Sequence, residues 1–257
     1  MFEPTLPDPW SRLRRYTNAR IALGRAGGSQ PTRDQLAFAL DHALARDAVH
    51  APFELDRLAA ELRAQNSDAL TLTSAACDRA TFLQRPDLGR RLSPESLSQL
   101  STLSSQLPSA PDLVVIVSDG LSALAAERQA PPLLSALFPH LRAANLALAP
   151  VCLVRHARVA LMDEVGSVLR ARLALILLGE RPGLGTPDSL GAYLEFDPRP
   201  GRTNADRNCV SNIRPAGLPP AAAAARLAAL LVAARDQQRS GIALKDSGES
   251  PAPQLAS

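Results

Sequence analysis

Two polar runs hold most of the side chains in this sequence that could do chemistry. The first, Gly179-Glu180-Arg181-Pro182-Gly183-Leu184, directly follows the apolar segment Leu173 to Leu178. The second, Gly201 to Pro215, is dense in hydrogen-bonding residues, among them Thr203, Asp206, Arg207, Asn208, Cys209 and Asn212. A run so poor in apolar residues is expected to be a loop that presents polar groups to a partner. Ligands of open α/β sheets sit at the carboxyl ends of strands, so two such loops after strand-like segments suggest one composite site.

Within these runs Glu180 stands directly after a buried strand. Its carboxylate could accept hydrogen bonds from a ligand, or pair with Arg181 or another arginine. Cys209 would need a base within hydrogen-bond reach to act as a nucleophile. Its neighbours Asn208 and Ser211 are not bases, so a ligand contact or a packing role is expected. Elsewhere, Ser118-Asp119-Gly120 follows a strand-like segment and reads either as a helix N-cap or as backbone N–H groups or a carboxylate placed at the ligand edge. His42, His50, His140 and His156 show neither an i, i+4 pair nor a His-Glu-x-x-His motif, and metal ligation is not expected. Arg155, Arg158, Arg170, Arg172 and Arg181 flank strand and helix ends, where they could hold a phosphate or an acidic surface. Ordinary solvated arginine is the preferred reading. No complete acid/base or nucleophile constellation emerges, so no catalytic residue and no metal ligand is assigned.

The elements that must position these groups can be read from periodicity. Thr32-Arg33-Asp34-Gln35 has the form of a capping box, and Leu36, Leu40, Ala43 and Leu44 then fall at helical spacing, which predicts a helix from Arg33 to His50. Leu55, Leu58 and Leu62 mark a second helix. Gly24 to Ser29 is a glycine-rich connector that lacks the ending of a Walker loop. Ala69–Thr73 leans to strand. Leu113 to Val117 is a continuous apolar run and reads as a strand buried on both faces, followed by a helix through Glu127 and another over Pro131–Leu146. Ala149–Val154 and Leu173–Leu178 are further buried strands, with a helix over Val159–Leu169 between them. Tyr193–Phe196 is a short extra strand and Pro219–Arg239 a long alanine-rich helix. This alternation predicts an α/β fold with a Rossmann-like, mostly parallel sheet and crossover helices, preceded by a small helical N-terminal region. The expected division is a helical region over 1–65 for subunit association, a Rossmann-like domain over 66–246, and a small, polar, disordered tail over 247–257.

Composition narrows the function classes. The chain has 257 residues, a net charge of +3 and a pI near 9.1, too mild a basicity to argue for nucleic-acid binding. Lys245 is the single lysine. The three cysteines are far apart and form no CxxC pair, so neither a zinc knuckle nor a disulfide framework is supported, and a reducing, cytoplasmic setting is expected. No apolar stretch is long enough to span a bilayer, and Met1 to Trp10 lacks the basic start and apolar run of a signal peptide.

A set of longer motifs, in one order, carries a resemblance. They include Ala19-Arg20-Ile21-Ala22-Leu23-Gly24-Arg25-Ala26-Gly27, the segment Asp41 to His50, Arg85-Pro86-Asp87-Leu88-Gly89-Arg90, and Val117-Ser118-Asp119-Gly120-Leu121-Ser122-Ala123. Gly179 to Leu184, Asp188-Ser189-Leu190-Gly191-Ala192-Tyr193, Asp206 to Pro215 and Ser240 to Asp246 complete it. Together they resemble the small (light) subunit of ethanolamine ammonia-lyase, an adenosylcobalamin-dependent enzyme, over about residues 12–246. The resemblance implies a larger catalytic partner subunit that holds ethanolamine and the radical chemistry, with the corrinoid between the two. It implies cofactor contacts at Val159, Glu180 and Cys209, whose motifs Arg158-Val159-Ala160, Gly179-Glu180-Arg181-Pro182-Gly183 and Arg207-Asn208-Cys209 are intact. No Asp-x-His-x-x-Gly run is present to supply a cobalt-ligating histidine, so the cofactor's benzimidazole would stay on cobalt. Relatives targeted to a bacterial microcompartment carry a longer N-terminal extension than this chain, which puts encapsulation in doubt; the expected location is cytoplasmic, with a bacterial microcompartment as the alternative. The competing reading is a free-standing nucleotide- or phosphate-binding Rossmann-like protein, against which stands the missing Gly-x-Gly-x-x-Gly after the first strand.

Overall fold

In a computed structural model the described residues are 8–17, 19–65 and 67–245. The expected tail over 247–257 lies outside them. Thirteen regular elements follow in chain order: α1 Thr32–His50, α2 Leu55–Ala64, β1 Ala69–Thr73, α3 Arg79–Gln84, α4 Pro94–Gln106, β2 Leu113–Ser118, α5 Ala123–Ala143, β3 Val151–Arg155, α6 Leu161–Leu169, β4 Leu173–Gly179, β5 Leu190–Phe196, β6 Arg207–Ile213 and α7 Pro220–Gln237. Short 3-10 turns occupy Ser11–Tyr16, Leu88–Arg90, Asn204–Asp206 and Gly241–Ala243.

The strands form one six-stranded sheet in the order β1-β3-β2-β4-β5-β6. The β1–β3, β2–β3 and β2–β4 pairs are parallel, whereas β4–β5 and β5–β6 are antiparallel. The sheet is therefore mixed, and its parallel part ends at β4. The reason is local: no helix lies between β4 and β5, and a parallel return needs a crossover of a dozen or more residues.

Every residue of β2 and β4 is buried, as continuous apolar runs require when both sheet faces are covered. Alternation divides them between two cores. Leu113, Val115, Val117, Leu175 and Leu177 pack with α2, α5 and α7 on one face, while Val114, Ile116, Ala174 and Ile176 pack with α4 and α6 on the other. Leu58 and Leu62 of α2 belong to the first core, but Leu36, Phe38, Leu40 and Leu44 of α1 are exposed. Among the described residues no helix is long and apolar enough to cross a membrane.

Two helix expectations need correction. The segment Ala123–Ala143 is one helix with Pro131, Pro132 and Pro139 inside it, where the sequence predicts a break near Pro131. Each proline removes an intrahelical bond, but eleven buried residues of α5 hold it between the sheet and α7, and that packing overrides the local penalty. The capping box at Thr32 does not form. Thr32 is the first helical residue, the N-cap is Pro31, and the Asp34 and Gln35 amides donate to the Pro31 carbonyl.

Candidate functional site

The carboxyl ends of β2, β3 and β4 lie side by side, and a buried tie holds them in place. Ser118 Oγ donates to Asp119 Oδ1 at 2.9 Å and accepts the Ala157 amide at 3.0 Å. Asp119 Oδ1 also accepts the His156 amide at 2.7 Å, and Oδ2 accepts Arg79 Nη1 at 2.9 Å. Ser118 and Asp119 thus clamp β2 to the segment after β3. The N-cap of α5 is instead Ser122, whose side chain accepts the Ala125 amide. The N-cap reading of Ser118-Asp119 is therefore corrected, while Gly120 of the same run lines the depression described below.

A close backbone approach fixes the end of β4. A Cβ on Gly179 would stand 2.0 Å from the Ser122 carbonyl oxygen, and one on Gly120 would stand 2.5 Å from that of Gly179. Gly120 also has φ +50, a conformation that costs glycine little. The next residue, Glu180, is thereby delivered to the sheet edge. Its amide donates to the Ser189 carbonyl at 2.9 Å, Oε2 accepts Ser189 Oγ at 2.5 Å, and Oε1 accepts the Asn212 amide at 3.3 Å. No arginine is paired with this carboxylate among the described residues, so of the two alternatives open from the sequence the arginine pair does not form.

Glu180 lines an open depression of about 450 Å³ together with Leu121, Arg158, Val159, Arg181 and Tyr193. Val159 lies between β3 and α6, so β3 and β4 each deliver one expected contact residue to the same surface. Cys209 does not line the depression. It sits within β6, directly opposite Tyr193 of β5. Tyr193 is a site residue that sequence reasoning missed; its being one of two tyrosines in the chain was the available signal.

The run Gly201–Pro215 is thus not a plain loop. It holds a 3-10 turn and the strand β6, paired antiparallel to β5. The strand was illegible because its buried residues Arg207, Val210 and Ile213 are three apart. A bulge between Leu190 and Ala192 shifts the register there and breaks the period of two. Cys209 is consequently a mid-strand residue, not one at a strand's carboxyl end.

The facing pair Tyr193 and Cys209 stays neutral. The Tyr193 hydroxyl is pushed up to about 12, first by burial and then by Cys209 and Glu180. Cys209 is exposed as a residue, yet its thiol is raised, chiefly by loss of solvent around the sulfur and further by Glu180, against a hydrogen bond with Tyr193. It is therefore a neutral thiol near pH 7 and a poor nucleophile.

Behind the depression lies a buried charged network. Arg207 Nη2 donates to both oxygens of Asp163 at 2.7 Å, and Nε donates to Glu195 Oε2 at 2.7 Å. Arg202 stands 3.4 Å from Glu195 Oε1 and 3.1 Å from Asp197. Burial, then the nearby Asp163, lifts Glu195 far above the ordinary carboxylate range. The network ties α6 to β5 and β6, and so holds Val159 and Cys209 in fixed relation. Among the described residues no group of three histidine, cysteine or acidic side chains could hold a metal ion.

A mixed six-stranded sheet with helices packed on both faces defines an α/β protein. The chain belongs to the ethanolamine ammonia-lyase light chain (EutC) family, whose family model matches residues 7–245. It is 53% identical over 246 residues to the ethanolamine ammonia-lyase small subunit of Azotobacter vinelandii, covering 96% of this chain and 91% of that one. Its identity to the small subunit of Ralstonia nicotianae is 52% over 244 residues, with 95% and 90% covered. For the small subunit of Pseudomonas fluorescens strain SBW25 the values are 51% over 245 residues, 95% and 88%.

Proposed function

We propose that this chain is the small subunit of an adenosylcobalamin-dependent ethanolamine ammonia-lyase, which converts ethanolamine to acetaldehyde and ammonia. It grips the periphery of the corrinoid through Val159, Glu180 and Cys209 and supports a catalytic large subunit. The observation that carries the reading is that Val159 and Glu180 line one depression with Tyr193, while Cys209 stands opposite Tyr193 in the sheet. The residues present fit such a group. A corrin edge carries methyl groups and primary amides, and the depression offers apolar Leu121 and Val159, the Glu180 acceptor, and the guanidinium donors of Arg158 and Arg181. Glu180 keeps its two protein partners on separate oxygens, and each oxygen has a further lone pair for an amide.

Once bound, the cofactor would supply the radical chemistry; this chain's residues hold and orient its edge. The four parallel strands with α5 and α6 as crossovers support a Rossmann-like reading of residues 66–246. The exposed Leu36, Phe38, Leu40 and Leu44 of α1 support an association role for the helical region 1–65. A cytoplasmic setting completes the reading. The test is adenosylcobalamin affinity of the complex reconstituted with the large subunit. Glu180→Ala should weaken it by roughly one to two powers of ten, as loss of a charged hydrogen-bond partner does, with ethanolamine affinity unchanged. An unchanged cofactor affinity would overturn the role of Glu180.

A further inference from the structure

Beside the Glu180 depression lies a second pocket of about 410 Å³, lined by Arg90, Arg158, Val159, Ala160, Arg202 and Arg207 among others, with no carboxylate in its lining. Arg158 and Val159 line both pockets, so the two are adjacent. The four arginines are not equivalent. Arg202 and Arg207 are held by Glu195, Asp163 and Asp197. Among the described residues, Arg90 and Arg158 have no carboxylate within salt-bridge distance.

Arg158 stands 4.2 Å over the Phe82 ring and donates through Nη2 to the Phe82 carbonyl oxygen at 3.2 Å, while its Nε is buried with no partner. Its pKa is lowered by burial first, then by repulsion from Arg79, Arg181 and Arg90, which outweigh the attraction of Asp119. Placing uncompensated guanidinium groups together is unfavourable unless an anion neutralises them. The first turn of α6 begins at this pocket, and its positive dipole end adds to the field.

We propose that Arg90 and Arg158 form an oxyanion site of the phosphate class next to Val159. Two guanidinium groups lining one volume can donate to several oxygens at once, which suits a tetrahedral phosphate better than a single carboxylate. Resting on the function proposed above, the natural source is the phosphodiester of the cofactor's nucleotide loop, reached from the corrin edge across Val159. Free phosphate is the other source of the same chemistry.

The experiment compares cobalamin with cobinamide, a corrinoid that lacks the nucleotide and its phosphodiester, on the complex reconstituted with the large subunit. Arg90→Ala is the main variant, since Arg90 is exposed and its loss leaves the fold intact. Arg158→Ala is the second, its folding checked by circular dichroism because the side chain packs on Phe82. Arg90→Ala should weaken cobalamin by about tenfold or more and leave cobinamide unchanged, whereas Arg158→Ala, whose side chain also lines the corrin depression, should weaken both and cobalamin about tenfold more. A second arm titrates the full chain alone with inorganic phosphate at constant ionic strength, read by calorimetry. Phosphate binding that Arg90→Ala abolishes, with both corrinoids unaffected, assigns the site to free phosphate. Equal effects on the two corrinoids, or none, together with no Arg90-dependent phosphate binding, would overturn the proposal. Glu180→Ala separates this from the function it rests on, because that variant should weaken cobalamin and cobinamide alike.

Discussion

Glu195→Gln tests whether the buried network behind the site holds a proton. Glu195 is fully buried, and its carboxyl is raised from 4.5 to about 8 by burial and by Asp163, against Arg207 and Arg202. Asp163 is raised as well, first by burial. A carboxyl whose folded pKa exceeds its unfolded one binds its proton more tightly in the folded state. Its stabilising contribution is complete below about pH 4.5 and is lost as pH rises through about 8. At about 1.4 kcal/mol per unit the ceiling is on the order of 5 kcal/mol. Relaxation around the ionised pair lowers this, so a loss of about 2–3 kcal/mol between pH 5 and pH 8 is expected. For a chain of this size that is roughly 5–10 °C in Tm. Glutamine copies the protonated form: its carbonyl accepts from Arg207 Nε and its amide donates toward Asp163. The assay is the thermal midpoint of the full chain and of the variant at several pH values. The wild type minus variant difference should fall as pH rises across the window. If glutamine leaves the slope unchanged, the assignment of the proton to this pair is wrong.

The other predictions are more direct. Gly179→Ala should destabilise the chain by about 3 kcal/mol or more in chemical denaturation, because the added Cβ meets backbone oxygens of Ser122 at 2.0 Å and Asp119 at 2.5 Å, which no side-chain rotation relieves. Cys209→Ser should leave turnover of the reconstituted enzyme intact with a mild loss of cofactor affinity, whereas Cys209→Trp should block cofactor binding by bulk; abolished chemistry with cofactor still bound in the serine variant would reinstate a catalytic cysteine. The purified chain, assayed alone with adenosylcobalamin and ethanolamine, should show no deamination above background, and measurable turnover would contradict its assignment as a non-catalytic subunit.

Much of the fold was legible where one element is buried on both faces or along a clear stripe. Leu113 to Val117 and Leu173 to Leu178 read as strands because their unbroken apolar runs suit positions covered on both sheet faces, and α2 read as a helix from Leu55, Leu58 and Leu62. The antiparallel half was less legible. β6 is a bulged edge strand with one buried face, so its buried residues do not alternate with exposed ones and it passed for a loop. α5 passed for two helices because its prolines carry a strong local signal, and only burial against the sheet outweighs it.

By itself the sequence determined the α/β class, the positions of the parallel strands and the motifs around Val159, Glu180 and Cys209, since each depends on residues adjacent in the chain. Tertiary structure alone decided which of these share a surface. Val159 and Glu180 line one depression because β3 and β4 flank β2, whereas Cys209 stands opposite Tyr193 in the next strand pair and does not line it. It also turned Ser118 and Asp119 from a possible helix cap into a buried tie, and set Arg90 beside Arg158 although 68 residues separate them. Those outcomes are fixed by long-range packing and by hydrogen bonds that buried polar groups must find, neither of which is written in local spacing.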